Sequence, residues 1–162
     1  MNLKKPILLF LALLFPACVF LFLKFFGKNE FAVPPLYTDS VPEGAKECGV
    51  TVALPYHIAD HVKSSLFLSQ DSLVLVHFGE VTTGAEKQLE RVSNEYGKAI
   101  KLQRIPASDS TIRLKSCVFF LKDRYDLVLV DHVGLIRGQY ISDDREEVDR
   151  LLVELAILYK KY

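Results

Sequence analysis

Hydrophobic positions fall into two regimes along this chain. From Ile7 to Leu23 they run on without a charge, and Phe25 and Phe26 extend the run past Lys24. At a helical rise of 1.5 Å per residue, twenty such positions cover roughly 30 Å, the thickness of a hydrocarbon core. The pattern therefore predicts one N-terminal transmembrane helix, in contact with a membrane through residues 7–26. Pro6 suits a first helical turn, Pro16 can kink a helix that lipid still supports, and Lys24 can snorkel to headgroups. A cleaved signal peptide fits less well, because the run is long and no A-x-A-like site precedes Lys28. A lipoprotein signal ending at Cys18 would place apolar Val19 to Leu23 where a polar tether belongs. Lys4 and Lys5 favour a cytoplasmic N-terminus. The expectation is a single-pass protein of the inner (cytoplasmic) membrane, with its soluble domain facing the periplasm.

After residue 28 the pattern becomes that of a globular domain. Residues 29–47, broken by Pro34, Pro35, Pro42 and Gly44, read as a tether. Ser72–Phe78 is short, apolar and β-branched, as a buried strand is. Thr82 to Gly84 supply a turn and helix start, and Ala85, Leu89, Val92 and Tyr96 then recur at helical spacing up to Gly97. Ala99–Ile105 reads as a second strand, Pro106–Thr111 as a loop and Ser116–Leu121 as a short strand. Leu127–Val130 and Leu135–Ile141 flank the turn Asp131-His132-Val133-Gly134, a hairpin. Asp143 with Glu146 gives a capping signal for a last helix carrying Val148, Leu151, Leu152, Leu155 and Leu158. Strand, helix, strand, hairpin, helix is the order of an α/β, thioredoxin-like mixed sheet flanked by helices. The expected organisation is an anchor over 1–28, a Pro-rich tether over 29–47 and the folded domain over 48–162.

Charge narrows the function. The whole chain of 162 residues is neutral, with 20 basic and 20 acidic side chains. Four of the basic ones, Lys4, Lys5, Lys24 and Lys28, belong to the N-terminal segment, which has no acid. Residues 29–162 thus hold 16 basic against 20 acidic groups, a net of −4. That balance argues against nucleic acid as a partner, since such surfaces are clustered and positive.

The stretch LVLVDHVGLIRGQYISDDREEVDRLLVELAIL, Leu127 to Leu158, resembles the C-terminal part of the Sco/SenC family, with Asp131, Gly134, Ile136, Arg137, Gly138 and Tyr140 on its pattern. Those proteins are membrane-anchored, thioredoxin-like copper chaperones of cytochrome c oxidase assembly. The Pro-rich VPPLY segment from Val33, Cys48 after it and Cys117 before the hairpin are similar to bacterial members. The resemblance implies partners among respiratory-complex assembly proteins. It also implies a C-x-x-x-C pair after the first central strand and a distant histidine, because thiolates and imidazole suit copper. This chain departs from that. After Phe78 it reads Gly79-Glu80-Val81-Thr82-Thr83-Gly84-Ala85-Glu86, without a cysteine. Before the LVLVD strand, where the histidine belongs, stand Lys122-Asp123-Arg124-Tyr125-Asp126. His132 lies beyond that strand and does not take the role. The expectation is a non-catalytic relative without the copper site, acting as a scaffold or accessory factor. No catalytic, cofactor-binding or metal residue is assigned, and no cofactor.

The remaining candidates are weighed on their own residues. Cys48 and Cys117 have three readings: two unrelated buried thiols, a structural disulfide stapling the tether's end to the sheet, or a displaced redox or metal pair. The last would make the protein a thiol–disulfide oxidoreductase or a copper-handling protein. His57 and His61 are four apart, a metal spacing on a helix, but the region looks extended and no third ligand is fixed. His77 reads as a hydrogen-bonded core histidine. Asp131 and Arg137 read as a turn carboxylate and an ion pair. Thr82 and Thr83 read as cap and turn residues rather than nucleophiles.

Overall fold

The computed structural model describes residues 4–26, 32–65 and 73–159. They form two compact units, Met1–Ala32 and Val33–Tyr162. The first unit holds helix α1, Lys4–Phe26, with Pro16 inside it and Lys24 in its last turn. The expected transmembrane helix is corrected here: among the described residues, no helix is long and apolar enough to cross a membrane. Side chains of the expected span, among them those of Ile7 to Leu9, Leu11, Leu13, Leu23 and Phe26, lie outside the described residues. The membrane-anchored fold class, the signal-anchor reading and the single-pass inner-membrane localisation fall with it.

The second unit is a mixed α/β layer structure. Its elements are α2 (Asp60–Ser65), β1 (Leu73–Phe78), α3 (Thr83–Tyr96), β2 (Ile100–Ile105), α4 (Asp109–Cys117), β3 (Leu127–Val130), β4 (Ile136–Tyr140) and α5 (Arg145–Tyr159). The sheet order is β2-β1-β3-β4. β1 and β2 are parallel, joined by α3, while β3 pairs antiparallel with both β1 and β4. β1 and β3 are central and apolar on both faces, so all their residues are buried. On one face Leu73, Leu75, Leu127, Leu129 and Tyr140 meet α3 through Leu89 and Val92, and α5 through Val148, Leu151, Leu155 and Leu158. On the other, Val74, Val76, Val128, Val130 and Ile136 meet Ile58, Val62 and Phe119. The register shifts between Leu129 and Val130. That bulge lets Ile136 and Tyr140, an even number of residues apart, face opposite sides.

Local chemistry explains where sequence patterning and structure differ. Ser116–Leu121 is not a strand. Ser108 closes a reciprocal capping box with Thr111, so the expected loop 106–111 opens α4 instead and the helix runs to Cys117. Phe120 then takes a positive φ of 49° and turns the chain toward β3. The cap of α5 is Asp144, whose Oδ1 accepts from Glu146 N at 2.9 Å, one residue beyond the expected Asp143. His61 lies in α2 rather than in an extended segment.

Residues 33–58 form a strap over the sheet. Leu36 N–H donates to Ile136 C=O on β4, Tyr56 N–H to Tyr37 C=O, and Ile58 N–H to Gly134 C=O. Tyr37 and Tyr56 both meet Phe120 edge-on, at 5.9 and 5.1 Å between ring centroids. Tyr56 Oη donates to Val118 C=O at 2.8 Å.

Candidate functional site

The segment after β1 is where the resemblance places chemistry. Gly79 leaves the strand at φ 97° with its N–H on Ile105 C=O. Thr82 is the N-cap of α3, its Oγ1 accepting from Ala85 N at 3.1 Å, so its oxygen is committed to the backbone. A Cβ on Gly84 would lie 3.3 Å from the Asp143 Cβ, which places the turn before α5 against the start of α3. No thiol stands on this loop.

Beneath it lies a buried polar network. His77 is fully buried and Ser142 is 1% exposed. Ser142 Oγ donates to Asp126 Oδ2 at 2.6 Å and Ser142 N–H to Asp126 Oδ1 at 2.7 Å. His77 Nε2 is 3.2 Å from Ser142 Oγ and 3.6 Å from Asp126 Oδ2. Since Ser142 spends its proton on Asp126, the network assigns the His77 proton to Nε2 and leaves Nδ1 an acceptor. Nδ1 is buried and meets no partner among the described residues. Burial pushes the Asp126 carboxyl up, but the hydrogen bonds from His77 and Ser142 outweigh it and hold the group below its ordinary value. This is not a nucleophilic triad, in which the ring bridges serine and carboxylate through its two nitrogens. Here both sit at one nitrogen and the serine is sealed. The network clamps β1 to the turns before β3 and after β4.

Cys48 and Cys117 are joined in a disulfide, with Cα atoms 5.6 Å apart. The bond ties the strap to the end of α4, and both cysteines are half-buried. His57 is exposed and its Nδ1 meets Pro55 C=O at 2.9 Å; no group of three metal-capable side chains forms among the described residues. Asp131 is fully buried. It accepts from Val133 N and Leu135 N at 3.1 and 2.8 Å, and from Arg137 Nε at 2.8 Å. Arg137 in turn donates to Val33 C=O at 3.0 Å. The hairpin ion pair thus organises its own turn and holds the strap.

A groove of about 940 Å³ opens between the strap and the sheet edge. The strap forms one wall, the 120–125 loop another, Gly138 and Gln139 of β4 the floor, and Arg150 and Glu154 of α5 one end. Gln139 Nε2 donates to Phe119 and Phe120 carbonyls at 3.1 Å each and to Tyr37 Oη at 3.2 Å, so one side chain fixes two walls. Lys122, Arg124, Arg137 and Arg150 line the groove against two carboxylates, Glu43 and Glu154. Glu43 meets Lys122 at 2.8 Å, which lowers the acid's pKa and raises the amine's. Arg150 meets Glu147 and Glu154 at 2.5 and 3.2 Å. Arg124 donates to Tyr125 Oη, lies 4.5 Å over its ring and interacts electrostatically with Glu147.

Compared with known proteins, the chain matches no family model and no curated sequence.

Sequence reasoning missed this groove. In the sequence Lys122 to Asp126 stand out only for the histidine they lack. Nothing in their spacing tells that a strap 80 residues away folds over them. Ser142 carried no signal at all.

Proposed function

We propose that the domain is a Sco/SenC-like protein that has given up copper and thiol chemistry and serves as a non-enzymatic scaffold or accessory factor in respiratory-complex assembly. One observation carries the reading. The loop after β1 offers a helix-capping threonine, a carboxylate and glycine, while the cysteines of this unit are spent on a disulfide elsewhere. Soft cations and exchangeable electrons have no ligand there. Strand order and the Asp131–Arg137 hairpin support the family resemblance, and the walled groove supports a binding role.

The test is a competition titration of the full chain with Cu(I) against a chromophoric chelator, beside a disulfide-exchange assay. The reading expects no stoichiometric copper and no turnover. A second reading, a thiol–disulfide oxidoreductase using Cys48 and Cys117, draws on their half-buried position. Turnover lost in Cys48→Ser would favour it; an inert, strongly reducing bond would count against it.

A further inference from the structure

We infer that the Cys48–Cys117 bond is a redox latch, whose reduction frees the 38–54 loop from the groove wall while the sheet stays folded. The inference goes beyond the scaffold reading and does not depend on it. It concerns one opening of the bond per molecule by a dithiol reductant, not turnover.

The first argument is how the loop is tied. At its neck Tyr56 N–H donates to Tyr37 C=O, and beside the neck Leu36 and Ile58 donate to Ile136 and Gly134. Between those anchors the loop folds on itself: Ala45 N–H donates to Pro42 C=O, Cys48 N–H to Gly44 C=O and Val50 N–H to Ala45 C=O. Among the described residues, no main-chain hydrogen bond of 39–54 leaves the loop. The disulfide crosses to α4, and Glu43 crosses to Lys122 with side chains 83% and 62% exposed. An ion pair so exposed holds weakly. Pro42 and Ala45 are buried but small, while Val41, Val50 and Leu54 are exposed, so little apolar area keeps the loop down. The covalent bond is the strong tie. Ser40 to Glu43 line the groove, so releasing the loop removes part of its wall.

The second argument is backbone strain on both sides of the bond. Tyr37 and Phe120 hold positive φ values of 60° and 49°, which side chains with a Cβ rarely adopt. Tyr37 stands at the neck of the loop and Phe120 three residues after Cys117. Their rings meet at 5.9 Å, and Tyr37 Oη donates to Phe120 C=O at 3.3 Å. Strained residues persist only where their surroundings hold them, and the disulfide joins the two segments that carry these.

The third argument is access. Both cysteines are half-buried, so a thiolate can reach the bond. One thiolate of the reductant attacks one sulfur, and the other sulfur leaves and takes up a proton. The reductant's second thiol then closes on the mixed disulfide. Two electrons pass to the protein, Cys48 and Cys117 end as thiols, and the reductant ends as its disulfide.

The experiment follows amide hydrogen exchange by mass spectrometry in the full chain, in mild non-ionic detergent, before and after excess dithiothreitol. Alkylation of two further cysteines reports the reduction. The expected result is exchange about ten-fold or more faster across 38–54, at labelling times over which β1 and β3 stay protected, and reversed on re-oxidation. Changing both Cys48 and Cys117 to serine should give the open pattern with and without dithiothreitol. Unchanged exchange across 38–54 after reduction overturns the proposal. A bond that excess dithiothreitol leaves intact in the folded chain overturns it too, as does loss of protection in β1 and β3 together with the loop, which marks a structural staple.

Discussion

Replacing Gly138 by alanine isolates the packing that holds β4 to α5. An ideal Cβ there lies 2.0 Å from Tyr140 Oη, 2.5 Å from its Cζ and 2.9 Å from its Cε2. Ordinary carbon contacts begin near about 3.5 Å, so the ring must move by well over an ångström. It has nowhere to go cheaply. Tyr140 is fully buried, donates to Glu154 at 2.5 Å and carries the Arg150 guanidinium 4.6 Å over its face. Overpacking of this kind costs about 1–3 kcal/mol. Loss of a hydrogen bond to a charged acceptor adds about 1.5–3 kcal/mol. Gly138→Ala is therefore expected to destabilise by about 2.5–6 kcal/mol in urea unfolding followed by circular dichroism, with an unchanged slope. Tyr140→Phe removes the closest atom and the hydrogen bond but leaves the Cζ contact. The double variant should then cost less than the sum of the two singles. A Gly138→Ala change within about 0.5 kcal/mol of the parent, or strict additivity, would refute the reasoning.

Other expectations follow from single contacts. Changing both Cys48 and Cys117 to serine opens a loop of 69 residues and should lower stability by about 2–4 kcal/mol, with faster amide exchange confined to the strap and α4. Arg137→Met strands the buried Asp131 carboxylate and should cost about 3–5 kcal/mol, whereas Arg145→Met, on an exposed pair with Asp149, should cost under about 1 kcal/mol. The lowered pKa of Asp126 makes its contribution full above the ordinary carboxylate range and lost as pH falls through the folded value. The unfolding midpoint should thus drop below about pH 4, and less steeply in Asp126→Asn; identical acid profiles would contradict this.

Much of the sheet was legible because its signals are local. Val74, Val76 and Leu127–Val130 are apolar runs of strand length, and Thr82 and Gly97 bracket a helix with an apolar stripe. The Asp131 turn announced the hairpin. What escaped depended on distant partners or on caps that compete with propensity. Val118 to Leu121 looks like a strand, yet Ser108 had already committed the chain to α4. The groove needs Tyr37, Phe120 and Gln139 to meet across about 100 residues of sequence, and no periodicity records that. The N-terminal apolar run was read from hydropathy alone, and the described part of α1 does not sustain the span.

Whether copper finds a ligand after β1 decides the scaffold reading. The most direct measurement is an amide-resolved NMR titration of the full chain with Cu(I). No change is expected at residues 79–84. Copper-dependent shifts centred on Glu80 to Gly84 would contradict the reading.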